Sequence, residues 1–234
     1  MRRREFCWSA LAAGAPAVLW SSAARSDDAD PLIVSLRAAY AALTSYTDVI
    51  HVASEASGRS WIGEVRTAFV RPNRLCSQVS LFGNTETVVI IDGGSIKEWS
   101  AKRGWSGPLS LGAALAGLQG ANRLYGSMGH LIALLLLAES SGEAPALSTM
   151  TNVVCTQKQA RCLMWEGTSG TSGNRKRSFT LDPATGLIRK FTCVDANVRA
   201  AGLIDCRVDA LLNMDAVVAA LTRAPDQPMS WDAY

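Results

Sequence analysis

Cysteine and histidine are the residues of this 234-residue chain whose chemistry is most easily tested against their spacing: six of the first, two of the second. His51 and His130 lie far apart, and neither stands in a metal-binding pattern such as His-Glu-x-x-His, so both read as partly exposed structural residues. No phosphate loop, dinucleotide fingerprint or paired-carboxylate motif occurs. Asp92-Gly93-Gly94-Ser95 reads as a turn between strands, and the stretch from Gly167 to Gly173 as a loop or hairpin tip with no nucleophile elbow. The expectation is a chain with no catalytic residue, no metal and no cofactor. Cys155 and Cys162 bracket a polar stretch, and Cys193 and Cys206 sit on strands joined through Asn197 to Gly202. Each pair could face itself across a hairpin, where cross-strand Cα atoms reach the roughly 4.4–6.8 Å that a disulfide requires. Buried free thiols are the alternative, with Cys76 as the spare.

The chain opens with Arg2-Arg3-Arg4, continues through an apolar stretch from Ala10 to Leu19, and reaches Ser22 and Ala24 just before Asp27 and Asp28. That is the layout of an export signal peptide. Its apolar run of roughly 10 residues is half of the about 20 that span a bilayer, and Gly14 and Pro16 interrupt it, so no permanent membrane span is expected. Arg3-Arg4-Glu5-Phe6 resembles the twin-arginine export motif, with the general secretory route as the alternative. The expectation is a signal peptide over 1–24, cleavage near Ala24, a single domain over 25–224, a frayed tail over 225–234, and a periplasmic location. Cleavage lowers the formal charge from +3 to about +1, which leaves no argument for a nucleic-acid partner.

The elements that would position any site follow from periodicity. Asp30-Pro31, then Leu32, Leu36, Ala39, Tyr40 and Leu43, reads as a capped helix with one apolar stripe. Alternation then predicts strands near 46–55, 61–71, 74–82, 85–92 and 95–100. Trp61, Val65 and Phe69 share one face while Glu64 and Arg66 share the other; Leu75, Val79 and Leu81 likewise oppose Arg74, Gln78 and Ser80. Between Pro108 and Ala138 the sequence turns Leu- and Ala-rich, which predicts two helices. Strands resume near 149–156, 161–167, 175–182, 187–195 and 203–209, with Asp182-Pro183-Ala184-Thr185-Gly186 as a hairpin turn. Asn213 caps a closing helix through Leu221. The fold class is α+β: one long antiparallel sheet with helices gathered on one face.

Several short motifs fall in a familiar order. Phe69-Val70-Arg71-Pro72-Asn73-Arg74-Leu75 follows the leading helix, an aliphatic strand from Val88 ends at Asp92-Gly93, and Ile96 to Trp99 forms a short aromatic-bearing strand. In this the chain resembles the LolA-like periplasmic carriers. The hairpin from Phe179 to Ile188 is more similar to that of uncharacterised secreted branches than to LolA itself. The resemblance implies a half-open, curved antiparallel sheet, an incomplete barrel, with helices as a lid over its apolar face. It further implies a lipid or lipoprotein acyl chain as ligand.

The residues of such an apolar hollow would be Trp61, Val65, Phe69, Leu75, Val79, Leu81, Val89 and Ile91 from the sheet, with Leu131, Leu134 and Leu135 from the lid. They share strand parity or helical spacing, although the same side chains could simply fill a core. An enclosed acyl chain would gain about 0.8 kcal/mol per methylene. The alternative function is an envelope interaction module with the same fold and a filled core, docking an envelope protein through the wetter sheet face or an edge strand.

Overall fold

Alternation between Ser45 and Ser100 becomes a run of five hairpin-linked strands in the computed structural model, which describes residues 31–56, 58–121, 126–141, 151–152, 161–169, 173–194 and 198–230. They are β1 (Ser45–Ala56), β2 (Arg59–Val70), β3 (Arg74–Leu81), β4 (Asn84–Asp92) and β5 (Ser95–Ser100), followed by the short β6 (Gly104–Ser106). Helix α1 (Pro31–Ala41) precedes them; α2 (Leu111–Ala121) and α3 (Gly126–Ser141) come next. The second strand group is β7 (Thr151–Asn152), β8 (Arg161–Ser169), β9 (Gly173–Leu181), β10 (Ile188–Val194) and β11 (Val198–Val208), and α4 (Met214–Arg223) closes the described helices.

All eleven strands form one sheet in the order β6-β5-β4-β3-β2-β1-β11-β10-β9-β8-β7. The two groups join where β1 pairs antiparallel with β11, from Tyr46 opposite Val208 to Ala56 opposite Val198. The sheet is open, with β6 and β7 at its edges. The class is therefore α+β with an open antiparallel sheet, as expected.

Because side chains alternate across a strand, the register divides the sheet into two faces. One face carries Tyr46, Ile50, Val65, Phe69, Leu75, Val79, Val89 and Ile91, and α1, α2 and α3 pack on it in a single buried cluster. Three helices thus cover the apolar face as expected, but α4 lies on the other. Its Met214, Val217 and Leu221 pack with Met229 against Ala68, Cys76, Val88 and Ile90. The cause is local: four outward positions of β2–β4, Ala68, Cys76, Val88 and Ile90, are themselves apolar, so this part of the supposed wet face needs its own cover.

The tail expected to fray is tied down from Pro225 to Met229. Gln78, fully buried on the outer face of β3, donates from Nε2 to the carbonyls of Gln227 (2.7 Å) and Pro225 (3.2 Å), and its Oε1 accepts from the Met229 amide at 2.8 Å. Thr85 Oγ1 donates to Asp226 O at 3.2 Å, and Arg66 to Met229 O. Residues 231–234, the leader over 1–24 and the capping Asp30 lie outside the described residues.

Turn chemistry agrees with the sequence. Asp182 Oδ1 accepts from the amides of Ala184 (2.9 Å) and Thr185 (3.0 Å), and Gly186 at φ +73° closes the turn onto Asp182 O. Asn213 caps α4 by accepting from the Ala216 amide at 3.2 Å. Strand β11 begins well before the expected residue 203. Its Gly202 faces Phe191 across the hairpin, and a β-carbon there would stand 2.1 Å from Phe191 Cε1.

Candidate binding interior

The inner wall is built by parity. Val65 and Phe69 of β2 stand opposite Val79 and Leu75 of β3, and Leu75 stands opposite Ile91 of β4. Leu131, Leu134 and Leu135 of α3 meet this wall, so nine of the expected hollow residues fall in one buried cluster, with Trp61 and Leu81 half-buried at its margin. The middle of helix α3 is enclosed on all sides: every position from Leu131 to Leu137 is buried. A helix that is apolar all round must lie inside a protein, and this one fills the space that a half-barrel would otherwise enclose. The sequence reading omitted Tyr46 and Ile50 of β1 and Leu36 and Tyr40 of α1, which complete the same cluster; their parity and helical spacing carried the signal.

The Arg-Pro-Asn motif anchors the lid. Arg71 Nε donates to Leu43 O at 2.7 Å and Nη2 to Tyr40 O at 3.0 Å, which ties β2 to the C-terminal end of α1. Arg74 bridges Asp92 Oδ1 (2.7 Å) and Asp215 Oδ1 (2.6 Å), joining the Asp-Gly turn to the first turn of α4. Both motifs are thus scaffolding.

A line of polar residues crosses the apolar wall. Cys206 of β11, Asp48 of β1, Thr67 of β2, Ser77 of β3, Val89 of β4 and Glu98 of β5 are successive cross-strand partners, a single rung on the inner face. Tyr46 donates its hydroxyl to Asp48 Oδ2 at 2.8 Å, while Asp48 Oδ1, Thr67 Oγ1 and Ser77 Oγ are buried with no hydrogen bond of good geometry. Burial pushes the Asp48 carboxyl up to about 7, against the lowering effect of the Tyr46 hydroxyl. Burial also raises Tyr40, Tyr46 and Cys206 above their ordinary values. Two helix glycines lie over the rung. A β-carbon at Gly129 of α3 would stand 3.0 Å from Val65 Cγ1 and 3.6 Å from Ser77 Oγ, and one at Gly117 of α2 would stand 2.5 Å from Glu98 Oε2.

Solved structures similar to this chain can be set beside this geometry. A LolA superfamily protein from Nitrosomonas europaea is 10% identical, with 82% of this chain and 97% of that chain covered and a TM-score of 0.42. LprF from Mycobacterium bovis is also 10% identical, covering 82% and 98%, with a TM-score of 0.34. The MucA/MucB complex from Pseudomonas aeruginosa is 11% identical, covering 79% of this chain but 58% of that one, with a TM-score of 0.43. These are remote likenesses, and no ligand or partner follows from them. No protein-family model and no curated protein sequence matches the chain.

The cysteine expectations fare differently. Cys193 pairs with Ala200, whereas Cys206 lies six positions further along β11, opposite Asp48. At about 3.3 Å per residue that separates the two by about 20 Å along the strand, so the expected Cys193–Cys206 bridge is excluded by register. Cys155 lies outside the described residues, as does the side chain of Cys162. Cys76 is buried beneath α4, and burial pushes its thiol up to about 12. His51 is an exposed outer-face residue, its Nδ1 3.3 Å from Glu64 Oε2.

Among the described residues, no group of three or more His, Cys, Asp or Glu could hold a metal ion, and no helix is long and apolar enough to cross a membrane. An open cleft of about 340 Å³ lies at the β5–β6 edge, lined by residues including Ile96, Lys97, Trp105 and Pro108, none of them expected lining residues.

Proposed function

We propose that this protein is a periplasmic carrier that holds a lipid or lipoprotein acyl chain and does no covalent chemistry. The observation that carries this reading is how the interior is closed. The apolar wall from Val65 to Ile91, crossed only by its polar rung, is covered by α3, a separate helix buried at every position from 131 to 137. Withdrawing α3 would uncover a trough lined by the same side chains, and an acyl chain laid there would regain about 0.8 kcal/mol per methylene of the burial lost. In this reading α3 occupies the ligand's place when no ligand is bound. The leader expected over residues 1–24 would deliver the protein to the compartment where such ligands move.

A second reading, the envelope interaction module with a filled core, is favoured by the interior that α3 fills in this structure and by one surface. Ile62 and Phe82 are each 59% exposed, and Phe82 lies against Trp61 with ring centroids 5.7 Å apart. Such a group of apolar side chains could meet another protein.

Native mass spectrometry of the mature protein purified from the periplasm, before and after extraction with organic solvent, separates the two. An acyl lipid lost on extraction is the expected result. A clean protein mass that also stays unchanged on adding lipids overturns the carrier reading and leaves the docking module.

A further inference from the structure

The inner wall is poorly matched at one place, the rung Asp48–Thr67–Ser77, whose Ser77 lies beneath α3. Each of these residues is at most 1% exposed; the Thr67 hydroxyl and amide act on the Asp48 carboxyl, yet Asp48 Oδ1, Thr67 Oγ1 and Ser77 Oγ make no hydrogen bond of good geometry, and the element above Ser77 is a glycine, Gly129. Buried polar atoms left unpaired are costly, and here three lie on adjacent strands of a wall that is otherwise aliphatic. An aliphatic residue at any of these positions would be buried in the core without that cost. The lid is therefore not the occupant this rung suits best.

We propose that the rung is a hydrogen-bonding seat for the carbonyl of a neutral acyl ester or amide whose chain lies along the trough α3 fills in this structure. This rests on the carrier reading and specifies its ligand. Thr67 and Ser77 supply hydroxyl donors that a carbonyl oxygen can accept, at one cross-strand position on neighbouring strands. The rung has no lysine or arginine, and carboxyl groups stand on both sides of the hydroxyls, Asp48 next to Thr67 and Glu98 beyond Val89. The rung strands offer no lysine or arginine side chain to a free carboxylate or phosphate, and Arg103 Nη2 at the far end lies 3.6 Å from Glu98 Oε1, so an uncharged head group suits the hydroxyls best. Asp48, when protonated, adds a third donor through its open oxygen.

The test compares methyl laurate, sodium laurate and dodecane as competitors for a fluorescent acyl probe at pH 6, on the parent protein and on Thr67→Val with Ser77→Ala. The expected order is methyl laurate tighter than either of the others by about tenfold, the worth of one or two buried hydrogen bonds. In the double variant the ester falls to the level of dodecane and dodecane binding is kept, with urea unfolding checking that the variant stays folded. Equal binding of ester and dodecane to the parent, or a preference that survives in the variant, overturns the seat while the carrier reading stands. Tighter binding of laurate than of its ester overturns the seat as well. Failure of all three to compete overturns both.

Discussion

Replacing Asp48 by Asn tests directly how the buried wall treats charge. In the folded protein burial pushes this carboxyl from 3.8 up to about 7, with the Tyr46 hydroxyl at 2.8 Å and the Thr67 hydroxyl and amide only partly opposing the shift. The folded state therefore keeps a proton that the unfolded chain releases. The stabilisation is fully present below about pH 4 and is lost as the pH rises through 7. A change from 3.8 to about 7 corresponds to about 4 kcal/mol over that window. Asn keeps an oxygen for the Tyr46 hydroxyl and never ionises. The groups that face Asp48 are Tyr46 on its own strand, Tyr40 from α1 and Cys206 from β11. All three are raised above their ordinary values, so none titrates in this range. His51 and His130 are common to both proteins and cancel in the comparison. Urea unfolding of parent and Asp48→Asn at intervals from pH 4 to pH 8 should show the variant gaining about 4 kcal/mol relative to the parent as the pH rises. Profiles that stay parallel within about 1 kcal/mol would refute the reasoning.

Three other outcomes follow from packing and register. Gly202→Ala forces a β-carbon to within 2.1 Å of Phe191 Cε1 and should cost about 1–3 kcal/mol in chemical denaturation, most of it recovered when Phe191 is also changed to Leu. Gln78→Ala removes the amide that holds Pro225, Gln227 and Met229, so trypsin should cut after the exposed Arg223 several-fold faster while stability falls by about 2 kcal/mol. Peptide mapping of the oxidised protein without reductant should find no Cys193–Cys206 cross-link; finding one would show that β10 and β11 pair in another register.

Where one side of a strand faces a core and the other does not, the pattern was readable. Strands β1–β5, their turns and the faces of β2 and β3 follow from alternation because period 2 is imposed by the pleat itself. The lining residues of the wall follow for the same reason. The first half of β11 was not readable: Val198 to Gly202 is small or charged, and the residue that makes a glycine necessary, Phe191, belongs to another strand. The fate of the tail depends on Gln78, which looks like any outward polar residue until its amide is found holding three backbone groups of the tail. The cysteines show the difference between adjacency and register, since two residues on neighbouring strands meet only if the offset along the hairpin brings them opposite each other.

What the sequence by itself determined is local: which segments are strands or helices, which side of each is apolar, where the chain turns, and that the interior is aliphatic. Those properties depend on residue type and near neighbours. What only the tertiary structure decided depends on distant segments meeting. The pairing of β1 with β11 joins two strand groups into one sheet, α4 takes the face opposite the other helices, and α3 fills the half-barrel. The same is true of the polar rung. Asp48, Thr67 and Ser77 are separated in sequence by intervening strand and turn, and each looks like an irregularity in an apolar pattern. Cross-strand register turns three irregularities into one line, because an antiparallel sheet places residues side by side by offset and not by order.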